Sequence, residues 1–161
     1  MKTNTTRRHS LSHLLVLLQI VGVSLSVWLV GMVNRGPALA LALCALGAAS
    51  GLYALAHNRL GILGIYPELP PDAELITSGP YRWVRHPMYT SLMLMMFGIA
   101  VYNFHIINLL GVLLVASAVL GKVPIEEHQL RVRFPAYRAY AVQTPRFLPF
   151  PRGSRPPPPA V

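Results

Sequence analysis

Residues 14–33 run for twenty positions without a charged side chain. At about 1.5 Å rise per residue that length crosses a hydrocarbon core about 30 Å thick. Asn34, Arg35, Gly36 and Pro37 form a turn signal, and residues 38–56 make a second apolar run rich in Ala, Leu and Gly. Gly47 and Gly51 give this run a small-xxx-small spacing that lets a neighbouring helix come close. Two shorter runs follow, 88–102 and 106–121, separated by polar positions at Asn103 and His105. The pattern predicts an all-α, polytopic membrane helix bundle with about four spans, the second pair being either a tight hairpin that reaches most of the way across or helices extended by flanking residues such as Trp83 to Pro87. Met88, Met93, Met95 and Met96 read first as adaptable packing or lipid-facing residues of that pair and second as the lining of a lipid-tail groove.

The polar stretches are as informative. Residues 57–80 form a connection with Gly61, Gly64, Pro67, Pro70 and Pro71 and three acids, Glu68, Asp72 and Glu74. Connections of that length without apolar periodicity are seldom idle. No Gly-x-Gly-x-x-Gly follows a strand pattern, which disfavours a dinucleotide domain. After Lys122, Pro124 suits the first turn of a helix carrying Glu126 and Glu127 at its positive end and Arg131 and Arg133 at its last turn. Pro135 suits the start of a second short helix bearing Tyr137 and Tyr140. A single domain of residues 1–150 results, with a cytoplasmic C-terminal helical segment and a disordered Pro-rich tail at 151–161.

Composition agrees with the membrane reading: 53% of the 161 residues are apolar and 12% charged. Mean hydropathy is +0.48. The formal charge of +9 is not a nucleic-acid signal, because the basic residues flank apolar runs instead of forming a stripe with aromatics. With an even number of spans Lys2, Arg7, Arg8, Arg59, Arg82, Arg85, Lys122 and every later Arg share one side, which predicts cytoplasmic termini. The first run exceeds a signal-peptide core and lacks a small-residue cleavage site, so it is expected to be retained. Cys44 is the single cysteine, which excludes an internal disulfide and a cysteine zinc cluster. The histidines are scattered; His9 and His13 have i, i+4 spacing but sit in a start that reads as unstructured and lack a third ligand, so no metal site is expected. No Gly-x-Ser-x-Gly elbow occurs.

Candidate chemistry concentrates in residues 78–91, SGPYRWVRHPMYTS, at the mouth of the third run. Arg85 and His86 taken singly read as an interface anchor and a satisfied polar residue. Pro87 fixes its own backbone and restricts His86, so the neighbouring side chains are held at a set aim, as binding an anionic ligand requires. Glu126 and Glu127 are the only adjacent acids. Helix stabilisation, or an ion pair from Glu127 to Arg131, accounts for them cheaply. Their functional reading is that one carboxylate accepts hydrogen bonds from a ligand amine or from ribose hydroxyls.

Ser78-Gly79-Pro80-Tyr81, Arg85-His86-Pro87-Met88-Tyr89, Glu126-Glu127, Leu130, Phe134, Tyr137, Tyr140 and a closing Pro145-Arg146-Phe147-Leu148-Pro149 together resemble the isoprenylcysteine carboxyl methyltransferase family, with its bacterial members and the phospholipid methyltransferases. The resemblance covers residues 75–149 and is carried by the combination of RHPxY and EE. It implies an integral membrane enzyme of the bacterial inner membrane that uses S-adenosylmethionine and methylates a lipophilic acceptor entering laterally from the lipid bilayer, the carboxylate of an isoprenylcysteine first among candidates. The implied cofactor segments are 75–91 and 122–149. His86, Pro87, Tyr89 and Glu127 are the implied cofactor contacts, joined by Tyr81, Glu126 and Tyr137, and Arg85 and Glu127 the implied catalytic pair, with Arg85 orienting an anionic acceptor. Ser91 and Pro135 depart from glycines of the family pattern. A carboxylate or thiolate acceptor needs alignment and exclusion of water rather than a strong base, whereas an amine acceptor makes Glu126 or His128 the candidate base. The competing readings are an NADPH-dependent membrane reductase of the sterol-reductase type, which shares an Arg-His-Pro-x-Tyr, and a small non-enzymatic membrane scaffold.

Overall fold

The computed structural model describes residues 2–28, 36–58, 69 and 73–149, with side chains from Ser10 onward. Among these the chain is all-α and holds five helices: α1 (Lys2–Val27), α2 (Ala38–His57), α3 (Pro87–Asn103), α4 (Ile106–Arg133) and α5 (Tyr137–Gln143), with a 3-10 turn at Gly79–Arg82. Three of them are long and apolar enough to cross a membrane: α1 over Ser10–Val27, α2 and α4. At 17 residues, α3 reaches about 25 Å at 1.5 Å per residue, short of a core about 30 Å thick. Residues 29–35, 59–68, 70–72 and 150–161 lie outside the described part. The end of the first expected span, Gly61, Gly64, Glu68, Asp72 and the Pro-rich tail therefore lie outside it as well.

Helix α2 packs along α3 and α1 along α4, while α3 and α4 meet more sparsely. Small residues set both close seams. A Cβ added at Gly47 would stand 2.7 Å from the Met95 amide nitrogen, and one at Gly51 would stand 2.9 Å from Ser91 Oγ. The small-xxx-small spacing is thus a groove for α3, and Ser91 fits into it because Gly51 faces it; its hydroxyl donates to the Met88 carbonyl at 2.8 Å. On the other seam a Cβ at Gly111 would meet the Ser26 nitrogen at 2.5 Å and the Gly22 carbonyl oxygen at 2.6 Å. Met96, Val112, Val115, Val119 and Val123 form the buried cluster between the central helices. The α3–α4 turn is made by Phe104 in the left-handed region at φ 43°.

The last turn of α1 leaves carbonyls without helical partners, and these need donors that the bilayer cannot supply. Asn108 provides them: its amide donates to the carbonyls of Leu25 at 3.2 Å, Ser26 at 2.8 Å and Trp28 at 2.9 Å. Asn103 in turn donates to Asn108 Oδ1 at 3.0 Å. Both asparagines are fully buried.

Two expectations change. His9 sits within α1, which begins at Lys2 and not after an unstructured start. Pro124 does not open a new helix: α4 continues through it from Ile106 to Arg133. A proline inside a helix removes one hydrogen bond and costs about 3 kcal/mol. Burial of Lys122, Val123 and Glu127 on either side holds the helix together across that defect. Glu126 and Glu127 therefore lie deep within a helix, and the helix N-terminus does not account for their charge. Arg131 and Arg133 do fall in the last turn, and Tyr137 opens α5 two residues after Pro135.

Candidate functional site

Residues 78–91 fold as a short 3-10 turn followed by an abrupt helix start. Gly79 takes φ +57°, and a Cβ there would collide with the His57 imidazole at the end of α2. His57 Nε2 and Ser78 Oγ lie 3.0 Å apart in a hydrogen bond. His86 is the N-cap, at φ −126° and ψ 62°, and Pro87 is the first residue of α3, so the proline sets the angle at which the Arg85 and His86 side chains leave the backbone.

The closing segment of the chain docks onto this corner. The Arg85 and His86 amides donate to the carbonyls of Pro145 at 2.8 Å and Arg146 at 3.0 Å. Thr90 Oγ1 donates to the Phe147 carbonyl at 2.9 Å. Tyr140 Oη donates to the Tyr81 carbonyl at 2.6 Å. Residues 144–149 thereby form a strap along the start of α3, tied mostly through backbone groups.

Adjacent residues on a helix point about 100° apart, and the two glutamates consequently serve different neighbours. Glu126 accepts a hydrogen bond from Tyr89 Oη at 3.0 Å and lies 3.4 Å from His86 Nδ1. Glu127 is buried, with Arg85 Nη1 at 3.0 Å, His86 Nε2 at 3.4 Å and Arg131 Nη2 at 3.1 Å. Arg146 adds a two-pronged contact, Nε to Oε1 at 3.1 Å and Nη2 to Oε2 at 2.9 Å. Burial alone would raise the Glu127 pKa, but hydrogen bonds from His86 and Arg146 and the nearby Arg85 charge hold it well below the usual carboxylate range. For His86 burial acts to lower the pKa, and hydrogen bonds to both carboxylates outweigh it and raise it. Burial, helped by the Glu126 charge, pushes the Tyr81 phenol up to about 12, so it stays a hydroxyl donor at neutral pH.

A cavity of about 170 Å³ opens beside these groups, walled by Tyr81, Arg85, His86, Pro87, Tyr89 and Glu126 among others. Apolar Ala73, Leu75, Ile76 and Leu130 complete much of the wall. Six of the sequence-derived site residues thus share one space. Glu127 and Tyr137 do not line it: Glu127 faces the arginines and Tyr137 lies fully buried behind them. Arg85 Nε and Tyr137 Oη are both buried without a hydrogen-bond partner. Unspent donors of this kind are uncommon in folded proteins and mark places where a ligand oxygen or water completes the shell. Among the described residues no group of three His, Cys, Asp or Glu side chains is arranged to hold a metal ion. Sequence reasoning gave no role to Arg146, whose side chain reaches Glu127, or to His57; the closing Pro-Arg-Phe was the only signal for the first.

The nickel-cobalt-cadmium resistance protein NccN of Alcaligenes xylosoxydans xylosoxydans is 36% identical over 80 residues, 48% of this chain and 37% of that protein. The chain thus spans little more than a third of that relative's length. No solved structure matches. The family model described as phospholipid methyltransferase matches residues 37–136, well over half the chain. That stretch holds both the RHPMY corner and the paired glutamates, and the chain belongs to the phospholipid methyltransferase family of membrane methyltransferases.

Proposed function

We propose that the protein uses S-adenosylmethionine to methylate a lipophilic acceptor held in the bilayer, at a site on the cytoplasmic side of a bacterial inner membrane. One observation carries the reading: RHPMY and Glu126, separated in sequence by most of α3 and α4, meet at one cavity at the polar end of the bundle, with Glu127 beside it paired to Arg85 and His86. A scaffold would need no such convergence of costly buried charge. The NADPH-reductase alternative has less support, because the cavity shows carboxylates where a 2'-phosphate nucleotide calls for cations, and the family match is to methyltransferases.

The residues present fit parts of the cofactor. Glu126, with Tyr89 donating to it, offers a carboxylate to an amine or to ribose hydroxyls. Arg85 and His86 offer donors, and Leu75, Ile76 and Leu130 an apolar wall. At about 170 Å³ the cavity is smaller than the roughly 300 Å³ at which ligand sites begin, so it takes one portion of such a ligand. When bound, S-adenosylmethionine supplies an electrophilic methyl group on a sulfonium. The protein then has to align an acceptor and keep water out, a task for the fixed Pro87 corner and the apolar wall.

For the acceptor, a carboxylate is the first choice. Arg85 retains a buried, partnerless Nε that can donate to an anionic oxygen. It orients the acceptor, and no proton has to be removed from it. An amine acceptor is the second reading, favoured by the presence of both Glu126 and Glu74 on the cavity wall. Glu126 would then take the proton, because His128 is exposed and off that wall. Membranes containing the protein, incubated with methyl-labelled cofactor and extracted, separate these readings. Label released by mild base marks a methyl ester, and base-stable label on a lipid headgroup marks an amine. Saturable NADPH binding with no binding of S-adenosylmethionine would overturn the proposal.

A further inference from the structure

Five nitrogens from four side chains surround the two oxygens of Glu127: Arg85 Nη1, His86 Nε2, Arg131 Nη2, and Arg146 Nε and Nη2. A carboxylate offers about four lone-pair sites. Glu127 therefore has no acceptor capacity left for a ligand while residues 144–149 are docked. It is also absent from the cavity wall, where Glu126 stands instead. The division is geometric: Glu126 looks into the cavity, and Glu127 looks toward the strap.

Arg146 joins these two features. Its main-chain carbonyl accepts the His86 amide at 3.0 Å, while its guanidinium grips Glu127 through a fork of two contacts. Pro145 and Phe147 on either side use their carbonyls for the Arg85 amide and the Thr90 hydroxyl. The Phe147 ring lies 6.0 Å from the His86 ring. Glu126 and Tyr89 also meet the His86 ring, but the main-chain acceptors of the Arg85 and His86 amides belong to the strap and the carboxylate that pairs with Arg85 is Glu127. The Arg146 side chain itself is about half exposed and does not line the cavity, so its effect on a ligand has to pass through others.

We propose that Arg146 is a positioning residue: its fork on Glu127 seats residues 144–149 against the Arg85–Thr90 corner and thereby fixes the Arg85 and His86 side chains that line the cavity. Glu127 is accordingly an anchor for the strap and for Arg85, and Glu126 is the carboxylate that meets the ligand. The consequence for cofactor binding rests on the function proposed above; the seating of the strap does not.

The test combines amide hydrogen exchange with cofactor binding on the full chain in detergent. In Arg146→Ala, peptides covering residues 84–88 should exchange at least about tenfold faster than in the parent, since the Arg85 and His86 amides lose their fixed acceptors. The affinity for S-adenosylmethionine should fall by about tenfold or more. Arg146→Lys, which keeps the charge but loses the fork, should fall between the two on both readouts and keeps the test open if the alanine variant folds poorly. Arg138→Gln, at an exposed position on α5, should match the parent. Parent-like exchange at 84–88 in the alanine variant would overturn the proposal, as would faster exchange with undiminished cofactor affinity. Faster exchange together with no cofactor binding by any form, parent included, supports the seating of the strap and overturns the cofactor reading alone.

Discussion

Where α1 crosses α4, Gly111 brings two backbones so near that an added Cβ would stand 2.5 Å from the Ser26 nitrogen. Where α4 reaches its polar end, Glu127 draws together three arginines and a histidine from three separate stretches of chain. The first region is held by shape, with small residues and dispersion contacts, because helices in a bilayer gain nothing from leaving water. The second is held by charge, at a place where desolvation makes each unpaired group expensive. Damage to the first costs a local packing loss. Removing one member of the second strands several others.

The largest effect should therefore come from Glu127→Gln. It leaves the buried Arg85 without its counter-charge, and breaking one side of a buried pair typically costs about 3–5 kcal/mol. Thermal unfolding in detergent should show a loss of that order, together with loss of cofactor binding. In the bundle, Gly111→Val should cost about 1–3 kcal/mol by overpacking the α1–α4 seam, read by the same unfolding measurement. Any folded protein of this variant should bind cofactor as the parent does. Asn108→Leu, which removes the amide that donates to the carbonyls of Leu25, Ser26 and Trp28, should cost roughly 1–2 kcal/mol, the scale of interhelical hydrogen bonds in membranes. A bundle variant that abolished binding while remaining fully folded would break the contrast between the two regions.

Stability should also depend on pH through the charged region alone. Glu127 is depressed in the folded protein, so its contribution is complete above the ordinary value of 4.5 and is lost as pH falls below it. His86 is raised, so its contribution is complete below 6.5 and is lost as pH climbs from there through the raised value. Unfolding temperatures across pH should fall on both limbs. His86→Gln should flatten the alkaline limb, and the acid limb should be absent from Glu127→Gln. The smallest change is expected from Tyr89→Phe, which removes one hydrogen bond to Glu126. Roughly 1 kcal/mol of stability or a several-fold loss of cofactor affinity is the expected scale.

The two regions also differed in how far they could be read from the sequence. The apolar runs and the Gly47–Gly51 spacing were legible because length and small-residue periodicity act locally. The RHPMY corner was legible as a rigid polar stretch, and its partnership with Glu126 and Glu127 through family resemblance. What escaped was whatever depended on distant packing. Pro124 reads locally as a helix start, yet α4 passes through it because its buried neighbours hold both sides. The paired glutamates read as helix-end charges, yet their environment is set by Arg85 and Arg146, 42 residues before and 19 after Glu127. The buried Lys122, which donates to Gln19 on α1, and the Asn103–Asn108 pair gave no local signal of their partners either.

If the polar end of the bundle is a cofactor site for methyl transfer, titration of the purified protein with S-adenosylmethionine, alongside Glu126→Gln, should show saturable binding by the parent, at least about tenfold weaker binding by the variant, and no competition from NADPH. Absence of binding by the folded parent, or equal binding by the two proteins, would rule that site out.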